Sequence, residues 1–404
     1  MVTVHDQNAL RTDKWPMART CPFSPPPDYP RLREWRGLAR ITGPSGHTVH
    51  VAARHADVRA LLGDTRFSSD HSHPDFPRMR VGEAVVPGFK PSLIEMDPPE
   101  HGPARRALVG EFSIRRMREL EPKIQHIVDG LIDEMLASPG RADLVSDLAV
   151  PMSGLTLCEL LGIPLTDRAE FTTNTAVMTA ADSSDADRGK AFGSLIAYFD
   201  ALCATKITER PDDLLGRLAT HESSGGRVNR WAMVELCILL VVAGLETTAT
   251  MTALGVLALL EHPDQLAALT ADPDLTPGAV EELLRFFSIA ELSLIRRATV
   301  DVEIGGTLVR AGEGIAALSA AANRDPAVFA APDTLDIKRD NRKHVAFGWG
   351  PHQCLGKSLA RLELRIVLDT LFRRVPTLRL ALPRDELSYV NGPAFSVAAL
   401  PVTF

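Results

Sequence analysis

Hydrophobic residues recur about every three to four positions through most of the chain, which is the period of a helix with one buried face. This pattern predicts helices at 57–62, 100–112, 117–136, 151–161, 166–181, 187–208, 210–219, 229–261 and 355–372. Alternating apolar and polar residues at 47–53 and 300–317 predict short strands. Because the sequence shows no repeat and no linker, we expect one mainly helical domain over 1–404 with a small β-rich region, and a flexible lead-in over 1–20.

One predicted helix needs separate treatment because it is apolar on all sides. The stretch 236–260 carries a single charged residue, Glu246, and is long enough to cross a bilayer. A carboxylate near the middle of a lone membrane span would cost free energy, and the threonines that follow it lower the hydrophobicity further. We therefore predict a buried core helix and no membrane association.

Composition narrows the class of protein. The chain of 404 residues is 45% hydrophobic and 24% charged, which is typical of a globular protein. A formal charge of −7 argues against nucleic-acid binding through phosphate neutralisation. Five cysteines without a C-x-x-C pair are typical of reduced thiols, and the N-terminus has no apolar core of the secretory type. We expect a cytoplasmic protein.

The segment 347–356, FGWGPHQCLG, has the most specific pattern in the chain. Its glycines let the backbone pass close to a flat ligand, and it is expected to deliver Cys354 to the first turn of the last helix. Backbone amides at a helix start would stabilise a thiolate there. The residues alone also allow a zinc ligand with His352, a nucleophile, or a small buried side chain.

This segment resembles the haem-binding loop of the cytochrome P-450 family, F-G-x-G-x-H-x-C-x-G, at every specified position. The resemblance implies that Cys354 is the proximal ligand of haem b, iron protoporphyrin IX, and that its thiolate promotes cleavage of the oxygen–oxygen bond. Among members of this family, the sequence most resembles the soluble ones of actinomycetes. The implied fold is the P-450 fold, a triangular helix-rich body with haem between the helix of Glu246 and that of Cys354.

A second motif lies in the long apolar helix. Residues 243–248, AGLETT, resemble the family pattern A-G-x-(D/E)-T-T. By that resemblance Gly244 makes room for dioxygen, while Glu246 and Thr247 relay protons as catalytic residues. The alternative for Thr247 is a hydroxyl that bonds back to its own helix.

Further family landmarks follow in the expected order. Glu282 and Arg285 match an E-x-x-R element with a folding role, and the segments 322–326 and 332–333 match structural landmarks. The segment DPPEHGPAR at 97–105 resembles the one whose His and Arg bind a haem propionate. The haem-binding residues implied by the resemblance are His101, Arg105, Ala243, Gly244, Arg296, Phe347, His352, Cys354 and Gly356.

The resemblance implies a monooxygenase that uses dioxygen and electrons from a ferredoxin and its reductase. A basic docking patch for this partner is expected from Arg105, Arg106, Lys357 and Arg361. The substrate is expected to be a lipophilic small molecule such as a macrolide, polyketide, terpenoid or xenobiotic. Its contacts are expected from the loop 71–95, from 168–195, and from Val242, Phe287, Ile289, Leu292, Leu294 and Phe395. The rival readings are a peroxygenase or nitric oxide reductase chemistry at the same cysteine, and a non-catalytic recruitment module.

Overall fold

The computed structural model describes residues 9–11, 15, 17–79, 92–138, 140–179, 183–220, 229–290, 294–391 and 394–404. The α-helices within these ranges are α1 Tyr29–Glu34, α2 His55–Gly63, α3 His101–Val109, α4 Ile114–Ala137, α5 Val150–Leu161, α6 Arg168–Thr179, α7 Asp185–Glu209, α8 Leu214–Thr220, α9 Arg230–Glu261, α10 Pro263–Ala271, α11 Thr276–Phe287, α12 Ser319–Ala322 and α13 Lys357–Arg374. The strands are β1 Ala9–Arg11, β2 Ala39–Thr42, β3 Thr48–Ala52, β4 Phe67–Ser68, β5 Arg141–Asp143, β6 Ile295–Ala298, β7 Val302–Ile304, β8 Thr307–Val309, β9 Gly314–Ala317, β10 Arg379–Leu380, β11 Tyr389–Asn391, β12 Phe395–Val397 and β13 Pro401–Thr403. The mainly helical prediction is confirmed.

The chain forms two compact units, each made of two separate stretches of sequence. Unit 1 comprises Met1–Gly102 and Glu281–Cys354, and unit 2 comprises Pro103–Val280 and Leu355–Phe404. The expectation of a single domain over 1–404 stays a prediction.

Unit 1 is built on a six-stranded sheet in the order β1-β2-β3-β9-β6-β4. In its centre β3 pairs in parallel with β9, and β9 pairs antiparallel with β6. Two clusters of buried side chains pack on this sheet, one around Ile41 and Val49 and the other around Val58 and Ile315. The predicted run 300–317 is therefore divided, since β7 and β8 form a separate hairpin while β9 joins the large sheet.

The lead-in predicted over 1–20 is described only in part, since 1–8, 12–14 and 16 lie outside the described residues, and its flexibility stays a prediction. Residues Ala9–Arg11 pair in parallel with β2 at the edge of the sheet. Trp15 is buried, and the guanidinium of Arg19 donates to the carbonyl of Phe287 over 2.6 Å. These contacts connect the described residues of the segment with unit 1.

Unit 2 is organised around α9. This helix begins after Asn229, whose side chain accepts from the backbone amide of Ala232, and it packs against α5 and α7. It is long and apolar enough to cross a membrane, but 56% of its most hydrophobic window is buried inside the protein. The prediction of a core helix is therefore confirmed. Helices α4 and α13 pack on each other in the same unit, and β10, β13 and β5 form a small sheet.

Candidate functional site

The cysteine-bearing loop is closed by its own backbone. The amide of Cys354 donates to the carbonyl of Phe347 over 2.9 Å. Gly348 and Gly350 both have a left-handed backbone, with φ of 69° and 70°. A Cβ atom at Gly350 would lie 2.3 Å from the carbonyl oxygen of Leu62, so a larger residue there would displace the loop from α2.

Trp349 fixes the same loop from outside. The guanidinium of Arg59 on α2 lies over its ring at 3.8 Å from the centroid. The loop is thus tied to α2 by a close backbone approach and a cation–π contact, and Cys354 is exposed at its end.

The sequence predicted that Cys354 lies in the first turn of the last helix, but the structure places it before that helix. Helix α13 begins at Lys357, and Gly356 is its N-cap. A short 3-10 turn over Gly350–His352 and a turn at 355–356 occupy the connection. Cys354 therefore lies three residues before the first residue of α13.

The acid and alcohol of α9 lie in the half-buried part of this helix. Thr247 donates its hydroxyl hydrogen to the carbonyl of Ala243 over 2.7 Å, which is the back-bonded geometry. Glu246 is half-buried one residue earlier. A Cβ atom at Gly244 would lie 3.3 Å from Leu157 Cδ2, so the glycine permits close packing of α9 on α5. Its role beside dioxygen stays a prediction.

Three of the predicted propionate-binding side chains belong to unit 1, and two of them are in direct contact. The rings of His101 and His352 stack with centroids 4.1 Å apart. Arg296 on β6 is only 5% exposed. Burial lowers the pKa of Arg296 to about 10, and the charge of Asp97 counters part of that shift. Arg105 follows His101 by one helical turn on α3.

Two residues that the sequence interpretation did not assign lie beside this group. The side chain of Ser69 is in hydrogen-bond contact with His352 Nε2 at 3.3 Å. Both Ser69 and its neighbour Ser68 bond to the carboxylate of Asp97. A polar pair directly after the apolar Phe67 was the only signal in the sequence, and it does not identify a partner.

The E-x-x-R element is fully buried. Arg285 donates to both carboxylate oxygens of Glu282 at 2.7 Å, and neither side chain is exposed. Its remaining guanidinium nitrogen donates to the carbonyls of Asn323 and Pro332 at 2.8 Å. Glu282 also accepts from Arg339. The arrangement joins the other predicted landmarks and matches a folding role.

The predicted substrate contacts differ in burial, and some of them lie outside the described residues. Phe287 is fully buried and packs edge-on against Phe23 and Phe286, and its contact with substrate stays a prediction. Ile289 and Phe395 are also buried, and Leu294 and Val242 are partly exposed. Leu292 lies outside the described residues, as do 80–91 of the loop 71–95 and 180–182 of the segment 168–195.

The donor set of unit 1 fits an iron porphyrin that carries two carboxylates. A thiolate ligand for the iron needs an accessible cysteine, and the glycine loop supplies Cys354 in an exposed position. The carboxylates need buried cations or imidazoles, and Arg296, His101 and His352 supply them.

Comparisons with known proteins identify the family of this chain. A family model described as Cytochrome P-450 matches residues 271–378. Cytochrome P-450 105A3 of Streptomyces carbophilus is 45% identical over 399 residues, which cover 96% of this chain and 95% of that protein. A 20-oxo-5-O-mycaminosyltylactone 23-monooxygenase of Streptomyces fradiae is 43% identical over 400 residues, covering 98% of this chain and 93% of that protein.

The solved structures agree as well. The crystal structure of mycinamicin VIII C21 methyl hydroxylase from Micromonospora griseorubida, bound to mycinamicin VIII, is similar with a TM-score of 0.91 and 39% identity. The match covers 97% of this chain and 100% of that one. With identities of this size over nearly the whole length, the chain belongs to the cytochrome P-450 family.

Proposed function

We propose that this enzyme is a haem-thiolate monooxygenase that hydroxylates or epoxidises a lipophilic small molecule with dioxygen. The observation that carries the proposal is the loop that presents Cys354 just before α13, closed by the bond between its amide and the Phe347 carbonyl. Two relatives that match over almost their full length are named a monooxygenase and a hydroxylase.

The proposed cofactor is haem b, which when bound supplies the oxygen-activating chemistry. Cys354 would provide the thiolate ligand from its exposed position at the end of the glycine loop. His101, Arg105, Arg296 and His352 would hold the carboxylates. Ala243, Gly244, Phe347 and Gly356 would contribute backbone and side-chain surface against the ring.

Glu246 and Thr247 are the proposed groups for proton delivery. The Thr247 hydroxyl donates to the Ala243 carbonyl, so its oxygen keeps lone pairs that can accept a second hydrogen bond. For Thr247 to deliver its own proton, the hydroxyl must rotate away from that carbonyl. Glu246, one residue earlier on the same helix, is the carboxyl group that would return a proton to it.

The substrate is proposed to be apolar over most of its surface, as in a macrolide, polyketide, terpenoid or xenobiotic. Val242 and Leu294 keep exposed apolar surface that could contact such a molecule, and Ile289 and Phe395 are proposed as further apolar contacts although both are buried. The structure of the Micromonospora griseorubida hydroxylase holds mycinamicin VIII, which supports a bulky natural product as the first class to screen.

The electrons are proposed to come from a separate ferredoxin in the cytoplasm. Arg106 is exposed on α3, and Arg105, Lys357 and Arg361 are half-buried on α3 and α13. These four residues, called the basic patch below, would attract an acidic partner although the whole chain is negative.

The proposal is tested by the visible spectrum of the reduced protein under carbon monoxide, with and without Cys354→Ala. We expect the absorption band that gives the family its name in the wild type and its loss in the variant, because only a thiolate ligand shifts the band to that position. Cys21→Ala is the matched control, since it removes a half-buried thiol outside the loop. If the haem-supplied wild type lacks the band, or if the band survives in Cys354→Ala, the proposed chemistry is wrong.

A further inference from the structure

Asp97 is a carboxylate placed among the cationic and imidazole side chains that the proposed function assigns to the haem carboxylates. An acid in such a place weakens the attraction for an anionic ligand, so its presence needs another reason. Neither the proposed chemistry nor the family motif gives it a role of its own.

The side chain of Asp97 uses both of its oxygens within unit 1. Its Oδ1 accepts the backbone amide of Ser69 at 2.9 Å, and its Oδ2 accepts the hydroxyl of Ser68. Both serines are buried at the end of β4. Asp97 therefore fixes the point where the chain leaves the six-stranded sheet.

The backbone of Asp97 fixes a second element. Its carbonyl accepts the amide of His101 at 3.0 Å, which places the first residue of α3. One residue thus holds both the end of β4 and the start of α3.

These contacts close into a ring. Asp97 holds Ser69, the Ser69 hydroxyl contacts His352 Nε2 at 3.3 Å, the His352 ring stacks on His101 at 4.1 Å, and His101 returns to the Asp97 carbonyl. These four residues are called the Asp97 ring. It joins β4, α3 and the cysteine loop through contacts that do not need a ligand.

Arg296 lies next to the ring along the sheet. It belongs to β6, which pairs with β4 so that Ser68 lies opposite Arg297. The buried guanidinium of Arg296 is electrostatically favoured by Asp97, which raises its pKa against the effect of burial. The carboxylate thus offsets part of the cost of burying this cation.

We propose that Asp97 is a positioning residue of the haem site, which orients the two histidines toward the haem carboxylates and offsets part of the positive charge of Arg296. The inference rests on the proposed haem-thiolate function. It assigns separate tasks to the geometry of Asp97 and to its charge, and two substitutions can divide them.

Asp97→Asn keeps an oxygen for the Ser69 amide and a group that can bond to the Ser68 hydroxyl, but removes the charge. We expect haem transfer to apomyoglobin at close to the wild-type rate. Loss of a nearby negative charge stabilises the reduced iron, so the ferric–ferrous equilibrium should move toward ferrous by about threefold or more. Asp75→Asn, at an exposed carboxylate of the same unit, is the matched control and should leave this equilibrium in place.

Asp97→Ala removes both the geometry and the charge. Because groups that orient the ligands of a bound metal commonly change affinity by tenfold or more, we expect haem transfer about tenfold faster than wild type. Ser69→Ala should act in the same direction, and the double variant should be little worse than Asp97→Ala, since both changes interrupt the same ring.

The carbon monoxide band of the wild type separates failure of this inference from failure of the proposed function. Without that band both are wrong. With the band present, the role of Asp97 alone is overturned if Asp97→Asn has the redox equilibrium of Asp75→Asn, or if the effects of Asp97→Ala and Ser69→Ala on haem transfer simply add. Should Asp97→Ala not fold, the redox comparison between the two asparagine variants still decides the question.

Discussion

At the residue scale, burial changes the protonation of Glu363, and the neighbouring residues in the sequence do not indicate this change. The side chain lies on α13 and is almost completely buried within unit 2. Desolvation raises the pKa of Glu363 to about 8, while a hydrogen bond with Thr156 of α5 partly opposes the shift. The group is therefore mostly protonated at neutral pH in the folded protein, whereas a carboxyl in the unfolded chain is ionised.

This difference predicts how stability changes with pH. Between about pH 5 and pH 8 the folded state holds a proton at Glu363 that the unfolded state has lost, so the free energy of unfolding should fall as pH rises. Relative to Glu363→Gln, which is neutral in both states, the loss should approach about 1.4 kcal/mol per pH unit and level off above pH 8. Urea unfolding of the haem-loaded proteins at several pH values measures it.

Glu386→Gln is the control for this titration, because Glu386 is exposed in the same unit. Its stability should follow the wild-type pH dependence. Parallel curves for the wild type and Glu363→Gln would contradict the prediction.

At the element scale, the E-x-x-R element makes α11 a junction, because it bonds to backbone segments elsewhere in unit 1. Its Arg285 bonds to Glu282 of the same helix and to backbone carbonyls at 323 and 332, with neither charged side chain exposed. Loss of one partner from a buried ion pair leaves the other charge desolvated, which costs more than the pair itself contributes.

Arg285→Ala should therefore lower the free energy of unfolding by about 3–5 kcal/mol, because Glu282 loses its buried partner. Arg342→Ala is the matched control within unit 1. It breaks an exposed pair with Asp340, in which the Arg342 side chain is 86% exposed, and should leave the free energy of unfolding close to the wild-type value. Urea unfolding compares the two, and losses of equal size would show that α11 is not the junction described.

Most helices could be predicted from the sequence because their apolar faces are long and periodic, as α4 and α9 show. Helix α10, Pro263–Ala271, was missed because it follows α9 almost without a break and has a short apolar face. The start of α13 was placed too early, since the glycines around Cys354 do not show where turn gives way to helix. For the site, the motifs gave His101, Arg296 and His352, but the link through Ser69 depends on contacts between distant segments that no local pattern contains.

At the scale of the whole molecule, the chain carries a net charge of −7, yet the proposed basic patch consists of four cations on α3 and α13. A local field of this kind can steer an acidic partner while the total charge repels it. The effect is screened by salt.

Reversal of charge at Arg106 and Lys357 together should slow reduction by a ferredoxin several-fold at low ionic strength, because encounter loses its electrostatic steering. The difference should shrink as salt is added. Stopped-flow reduction measures the rate. The control reverses Arg310 and Arg342, two exposed arginines of unit 1, with the same change in total charge. If both double variants slow reduction equally, the basic patch is not the docking site.

The way each unit is assembled from two distant stretches also has a consequence for synthesis. In the sheet of unit 1, Val49 of β3 pairs with Gly314 of β9, so β3 leaves the ribosome long before its partner is made. All of residues 103–280, which belong to unit 2, must be translated in the interval. During that time one edge of β3 has no native partner, and unpaired edges are where nascent chains associate wrongly. The first stretch of unit 1 therefore cannot complete its sheet until the second stretch, Glu281–Cys354, has been translated.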